Sequence, residues 1–407
     1  MTRFLVGLAV VLLAACSTPP SGVRTSPVPT ASVSPTGSPN TSRVLFAVLE
    51  TKRAGAQESE YAGSHDTVAI AGADGFAVAR ATFAPRHIPA IPMAGPVLYP
   101  EAYPAAGGAY FIDGPGVIRR LDPSGSIRKV TTFPLTSPQQ AASFAVSPDG
   151  HRLMAAVLTY PNVVPAPSPP AGQAPGAPFT TSGSWMLDLE VAADGGAATV
   201  IHHWQAGATD YPGSSAGFRN LALVGWDSTG PLGMVDGYNG AQQTLFEGQR
   251  WAGGHIVRLG LDGSLGAAPL TADCTPVALG DADRIVCLLP GAGAHAGMLQ
   301  VASLNGQVLW TAIQPTPDIQ MGQVGGFTLS PDGTRIAMDG VLVPQHGVNV
   351  SLPITFMTRG WLSADTLIGM IQSTEPMKLG ILRLSAPNSI ENWGFSGQFV
   401  GILRPSR

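Results

Sequence analysis

Apolar residues along this chain recur at every second position in short runs, and turn-forming residues separate the runs. Phe327, Leu329, Ile336 and Met338 alternate with small or polar neighbours around Ser330-Pro331-Asp332-Gly333. A period of two places one set of side chains on the buried face of a strand. Ser first, Pro second and Gly fourth is the residue preference of a type I turn, so residues 327–339 predict a hairpin. Phe144, Val146, Leu153 and Ala155 repeat the device around Ser147-Pro148-Asp149-Gly150. Two near-identical hairpins so far apart predict a repeat architecture.

Weaker copies fill the space between them. Strand–turn–strand patterns occur at Val68 to Phe83, Val117 to Val130, Trp185 to Trp204, His255 to Leu265, Leu299 to Trp310 and Leu379 to Ile390. A degraded copy is expected at Gly347 to Phe356. Hairpins of the first type are expected from Ala102, and over Leu221 to Gly237, Thr275 to Leu289 and Thr358 to Ile371. The Trp226 and Trp361 copies share Gly-Trp-x-Ser. A single strand stands at each end, in "RVLFAVLE" and at Gly397 to Arg404. If the two ends complete one unit together, the ring closes and its edges disappear. The expected fold is all-β: a β-propeller of four-stranded antiparallel blades. Seven blades is the count, six or eight are also compatible, and a pair of β-sandwiches is the competing arrangement. The repeat resembles the WD-type and TolB-type propeller repeats of bacterial envelope proteins, in which Ser-Pro-Asp-Gly marks the same turn. That resemblance implies a fold and is nearly silent about activity.

Composition supports short strands over long helices, since charged residues are only 12% while Gly (50) and Pro (37) are abundant. A net charge of -4 without any basic run gives no support for nucleic-acid binding. The start, "MTRFLVGLAVVLLAAC", has one basic residue, Arg3, then an apolar stretch, then small residues before Cys16. That stretch is too short to span a bilayer and suits a secretory signal. Its end resembles the bacterial lipoprotein lipobox, which implies cleavage before Cys16 and lipidation (palmitate or a related acyl chain) of that residue. An ordinary signal peptide with an incidental cysteine is the alternative. No other segment is long and apolar enough to cross a membrane. Residues 17–42 are Ser/Thr/Pro-rich with almost no large apolar side chains, and cannot offset ordering entropy. The expected organisation is a signal peptide (1–15), a disordered tether (16–42) and a propeller (43–407). It would be a monomer held by lipid on the outer side of the plasma membrane.

Signals for chemistry are sparse. The chain has no His-Glu-x-x-His, no Walker loop, no Cys-x-x-Cys and no acidic loop with calcium spacing, so neither a metal nor a cofactor is expected. Asp149 and Asp332 are explained by their turns. His202 and His203 point to opposite faces of a strand and cannot easily share a metal. Cys274 and Cys287 flank Gly280-Asp281 symmetrically. A tight turn centred there would make them cross-strand partners, and an exported compartment would permit a disulfide; two buried thiols is the alternative.

Three long connections, Tyr160 to Ser184, Gln205 to Phe218 and Asp236 to Gly254, should open on one face of a propeller. The first is Pro-rich, and is expected to be extended or mobile. The others carry Tyr211, Tyr238, Phe246, Arg250 and Trp251 among Gly, Asn and Gln, a suitable surface for an envelope protein or a glycan, unless the aromatics fold back as packing. The function expected is a non-enzymatic binding or scaffold propeller in the cell envelope. The competing reading is a glycan lyase or hydrolase with acidic residues in the central funnel, for which Asp113 and Asp236 are the candidates.

Overall fold

Both Ser-Pro-Asp-Gly stretches fold as the turns their residues favour. In the computed structural model, Gly150 N–H donates to Ser147 O at 2.8 Å, and Gly333 N–H donates to Ser330 O at 2.8 Å. These are the one-to-four bonds of a β-turn. Ser147 Oγ donates to Asp149 Oδ1 (2.5 Å) and accepts from Arg152 N–H (2.9 Å). Ser330 Oγ does the same with Asp332 (2.5 Å) and Arg335 N–H (3.0 Å). The bond from Ser147, then one from His151 N–H, holds the Asp149 carboxyl below its usual range. Burial pushes Asp332 up, but the bonds from Ser330 and Thr334 outweigh it and the net shift is down. Gly150 and Gly333 sit at φ +77° and +76°, where a side chain is strained. A Cβ on Gly150 would also meet Tyr110 Oη at 2.6 Å, and one on Gly333 would collide with the Arg284 guanidinium. Tyr110 and Arg284 come from the preceding repeat, so the motif turns the chain and seats a neighbour.

The structure describes residues 44–52, 65–84, 102–114, 116–159, 162–165, 179–182, 186–205, 221–235, 255–266, 274–289, 297–315, 326–372, 374 and 378–405. All lie in the unit Arg43–Arg407. They form seven antiparallel blades and contain no helix. We letter the strands of each blade a to d from the axis outwards. Blade 1 is Gln398–Ile402, Leu45–Lys52, His65–Gly72 and Ala77–Phe83; blade 2 is Ala102–Ala105, Gly108–Asp113, Val117–Leu121 and Ile127–Thr132. Blade 3 is Gln140–Val146, Arg152–Thr159, Met186–Ala193 and Thr199–Gln205. Blade 4 is Leu221–Trp226, Pro231–Val235 and His255–Arg258. Blade 5 is Thr275–Gly280, Arg284–Leu289, Met298–Ser303 and Val308–Ile313; blade 6 is Thr328–Leu329, Arg335–Met338, Val341–Pro344 and Val350–Ser351. Blade 7 is Phe356–Ser363, Thr366–Ile371, Lys378–Arg383 and Ile390–Asn392.

The core is seven wedges rather than one centre. Each apolar cluster joins two successive blades, from Val68, Ile70 and Phe111 between blades 1 and 2 to Ile368, Ile381, Phe46 and Val48 between blades 7 and 1. The last wedge exists because the ends of the chain meet, as anticipated. Strand a of blade 1 is the C-terminal strand, pairing Phe46 with Ile402 and Leu49 with Gln398.

Three expectations need correction. The degraded hairpin expected at Gly347 to Phe356 is instead Val341–Pro344 with Val350–Ser351, because Phe356 already begins the next blade. Blade 4 has three described strands, with a single bridge between Leu259 and Leu265 beyond them. The Pro-rich connection is extended where it is described, Asn162–Pro165 pairing with Phe179–Ser182 as a hairpin. The structure joins Cys274 and Cys287 in a disulfide with Cα atoms 5.0 Å apart, but not as direct cross-strand partners. The turn is Asp281 to Asp283, with Ala282 and Asp283 both at φ +54°, and Cys287 opposes Pro276. A centre read at Gly280-Asp281 misses this because left-handed alanine carries no sequence signal. The bridge runs diagonally within the wedge between blades 4 and 5.

Removing the doubly used hydroxyl tests the turn. Ser147→Ala and Ser330→Ala should each lower stability by about 1 kcal/mol, read from urea unfolding midpoints, since each leaves a half-buried backbone N–H and an Asp carboxylate without the hydroxyl between them.

Candidate functional site

The innermost strands carry a second repeat. In blades 4, 5, 7 and 1, strand a has an extra residue opposite strand b at Val224, Val277, Arg359 and Val400, and blade 7 has a second at Leu362. Each of the first four is followed by a small residue and a large apolar one, giving Val224-Gly225-Trp226, Val277-Ala278-Leu279, Arg359-Gly360-Trp361 and Val400-Gly401-Ile402. The small residue makes room for the next blade. A Cβ on Gly225 would lie 3.3 Å from Leu279 Cδ1, one on Gly401 would lie 2.7 Å from Pro104 Cγ, and one on Gly360 would collide with the Phe399 ring. A bulge bends its strand and re-aims a side chain. Three of these four residues are valine. The fourth is Arg359, and only 9% of it is exposed.

Around the axis, strand a of blades 5, 6, 7 and 1 lines a half-open cavity of about 160 Å³. Its walls are apolar at Leu279, Phe327, Leu329, Trp361, Phe399 and Val400, and its charged residues among those described are Asp281, Arg359 and Arg404. Arg404, which follows the closing strand, forms an ion pair with Asp281 on the a–b turn of blade 5. Arg359 Nη1 donates to Thr358 O at 2.9 Å, and Nη2 lies 3.7 Å from Met357 Sδ. Two other lining residues hold buried polar atoms that make no hydrogen bond, Thr328 Oγ1 and Trp361 Nε1. Away from this cavity, Tyr103 of blade 2 packs against Phe144 with ring centroids 6.3 Å apart, and burial pushes its phenol up to about 12, with a backbone bond at Trp226 opposing.

The residues singled out from sequence fall in different places. Cys16, Tyr211, Tyr238, Phe246, Arg250, Trp251 and Asp236 lie outside the described residues. The strands flanking the three long connections end at one rim, the one where strands b join strands c and each blade leads to the next. Asp113 ends strand b of blade 2, one strand out from the axis. It pairs with Arg119 Nε (2.5 Å) and accepts from Ala84 N–H (3.2 Å), tying blade 2 to the end of blade 1. The His202 ring lies against Trp204, tilted by 41° with centroids 4.0 Å apart, while His203 Nδ1 meets Asp188 Oδ1 at 2.5 Å, so the adjacent histidines serve opposite faces. No group of three metal-ligating residues occurs among the described residues.

Sequence reasoning passed over three features. Arg359 could have been found by aligning the Gly-Trp-x-Ser copies one residue further upstream. Gly213-Ser214-Ser215-Ala216-Gly217 matches the Gly-x-Ser-x-Gly pattern. Those five residues lie outside the described residues. Glu190, in strand c of blade 3, is buried with only 6% exposed. Burial, then the neighbouring Asp188 carboxylate, pushes it up to about 7.

No protein-family model matches the chain, and no curated protein matches it. Solved structures do. TolB from Acinetobacter baumannii aligns over 90% of this chain and 67% of its own, at 13% identity and a TM-score of 0.40. Oligogalacturonate lyase from Vibrio parahaemolyticus aligns over 83% and 97%, at 9% identity and a TM-score of 0.44. Pyrococcus horikoshii acylaminoacyl peptidase aligns over 86% of this chain but 51% of its own, at 15% identity and a TM-score of 0.47. The chain folds as a seven-bladed β-propeller. At these identities the likeness says nothing of activity, and the propeller itself rests on the strand pairing above.

Glu190 makes stability depend on pH. Its folded pKa is raised above the ordinary 4.5, so the fold prefers the protonated form. The stability it contributes is full below about pH 4.5 and lost as pH rises through about 7. Thermal unfolding between pH 4.5 and 7.5 should show a loss of about 1–3 kcal/mol in the wild type that Glu190→Gln does not share.

Proposed function

We propose that this protein is a lipid-anchored envelope propeller that binds a small ligand on its axis and performs no chemistry on it. The axial cavity carries the reading: four inner strands line it, and it combines apolar side chains with a few fixed polar groups, as ligand sites do. The lyase or hydrolase reading requires two acid/base side chains converging near the axis. Among the described lining residues the one carboxylate is Asp281, already engaged by Arg404, and Asp113 is committed to Arg119 away from the axis. The rim bearing Tyr211, Tyr238, Phe246, Arg250 and Trp251 is a second, protein- or glycan-facing surface in this proposal, resting on loop length and composition.

Anchoring is read in cells. The wild type should incorporate an alkyne-palmitate label and sediment with membranes, and Cys16→Ser should lose both; a labelled Cys16→Ser protein would remove the anchor from the proposal. Binding is read by equilibrium dialysis of the full protein against envelope glycan fragments and small-molecule extract, with mass spectrometry of both sides. Molecules concentrated beside the protein at unchanged mass support a binder. Disappearance of a component with new masses would establish an enzyme instead. A parallel sample with Tyr211, Tyr238 and Trp251 changed to Ala should lose whatever the rim holds and keep what the axis holds.

A further inference from the structure

The outer edges of the blades are not alike. Of the eleven large apolar side chains exposed among the described residues, seven lie on two neighbouring blades, four on blade 5 and three on blade 6 and the link that leaves it. Ile313, Val348 and Ile354 are 71%, 83% and 79% exposed. Single exposed apolar residues need no explanation, but their concentration on two blades of seven does. The same walls lack charge. No Asp, Glu, Lys or Arg occurs at residues 298–315 or 340–358, and His346 is the one titratable side chain there. Trp310 Nε1 of blade 5 donates to Gly333 O of blade 6 at 2.8 Å, so the two walls stand as one fixed surface.

Strand d of blade 5 runs through that surface as the edge of its sheet. An outer strand offers unpaired N–H and C=O groups to any other strand, and charged side chains on it usually prevent such pairing. Strand d carries Arg80 in blade 1, Arg128 and Lys129 in blade 2, and Glu391 in blade 7, while in blade 3 it carries His202 and His203. In blade 6 it is only Val350–Ser351. Blade 5 has Val308–Ile313, with no ionisable side chain, bulged at Leu309 and regular from Trp310 onwards.

We propose that this wall is a dimer interface, in which strand d of blade 5 pairs antiparallel with the same strand of a second copy about a two-fold axis, in place of the monomer expected from the sequence. A two-fold contact brings the same patch together from both partners. Here it sets an uncharged wall against an equally uncharged one, which is the depletion of charge found at the centre of protein interfaces. The edge selects a protein over a lipid surface, because lipid cannot hydrogen-bond the outward backbone groups of Trp310 to Ile313 and another strand can. A charged peptide would find no counter-charge. The aliphatic side chains beside the strand, from Ile313 to Val348, supply the apolar area that a short strand pairing lacks.

The test uses the full chain. For cross-linking, all samples carry Cys16→Ser, so that an introduced cysteine is the one free thiol, Cys274 and Cys287 being bridged. It is placed at Thr311, exposed in the regular part of the strand, or at Lys129, exposed on the charged outer strand of blade 2. A short bismaleimide added to intact cells should give a band of twice the chain mass with Thr311→Cys and none with Lys129→Cys. In sedimentation the purified wild type should be a dimer. Thr311→Lys restores the kind of charge that other outer strands carry, and should weaken dimerisation at least about tenfold by setting like charges together. Thr311→Val should keep the dimer, and circular dichroism checks that both variants fold. A wild type that sediments as a monomer, with no Thr311→Cys cross-link, would overturn the proposal. A dimer that Thr311→Lys leaves intact would overturn this interface, and a Thr311→Cys cross-link to a protein of another mass would put a foreign strand in place of the second copy.

Discussion

The ring depends on the pairing of Gln398–Ile402 with Leu45–Lys52. Each blade buries apolar side chains on both faces, so a blade without a neighbour exposes half of its core. Seven wedges need seven contacts, and an open chain of blades supplies only six. The seventh forms when the last strand of the chain becomes the first strand of the first blade. Phe46 then stacks on Trp393 with ring centroids 5.3 Å apart, which joins residues from opposite ends of the sequence in one apolar cluster. This contact is the least local in the molecule. Its loop-closure entropy must be met before any reward arrives.

Closing the ring also crowds the axis, and the inner strands answer that crowding with small residues. Gly225, Gly280, Gly360 and Gly401 each face a side chain from the next blade, respectively Leu279, Leu329, Phe399 and Pro104. The bulges absorb the accompanying bend. In one part of the ring Tyr103 packs against Phe144 with ring centroids 6.3 Å apart; between blades 5, 6, 7 and 1 the inner strands leave a cavity. The site is thus a by-product of ring packing that one residue, Arg359, turns into something chemically distinct. Ion pairs and hydrogen bonds at the rims hold the frame around it: Arg128 to Asp194 at 2.6 and 2.7 Å between blades 2 and 3, Ser228 Oγ to Asp283 Oδ2 at 2.6 Å between blades 4 and 5, and Arg404 to Asp281.

Read alone, the sequence determined most strands and the Ser-Pro-Asp-Gly turns and favoured seven blades closed by the two ends, because these follow from local periodicity and turn chemistry. Alternation in Phe327 to Met338 and the Ser-Pro-Asp-Gly turn are visible within a dozen residues, and unmatched strands at both ends leave few ways to pair them. Tertiary structure decided the rest. Whether Asp113 faces the axis or Arg119 depends on its strand being second rather than first in the blade. The register that sets Cys287 opposite Pro276 depends on a bulge at Val277 and on left-handed Ala282, neither of which residue type announces. Arg359 reads as one more polar residue in a strand until three sister blades show valine at its place and the closed ring puts it at a cavity. Periodicity reports which residues lie on a face; only the packing of faces from distant parts of the chain creates an interior, and so a site.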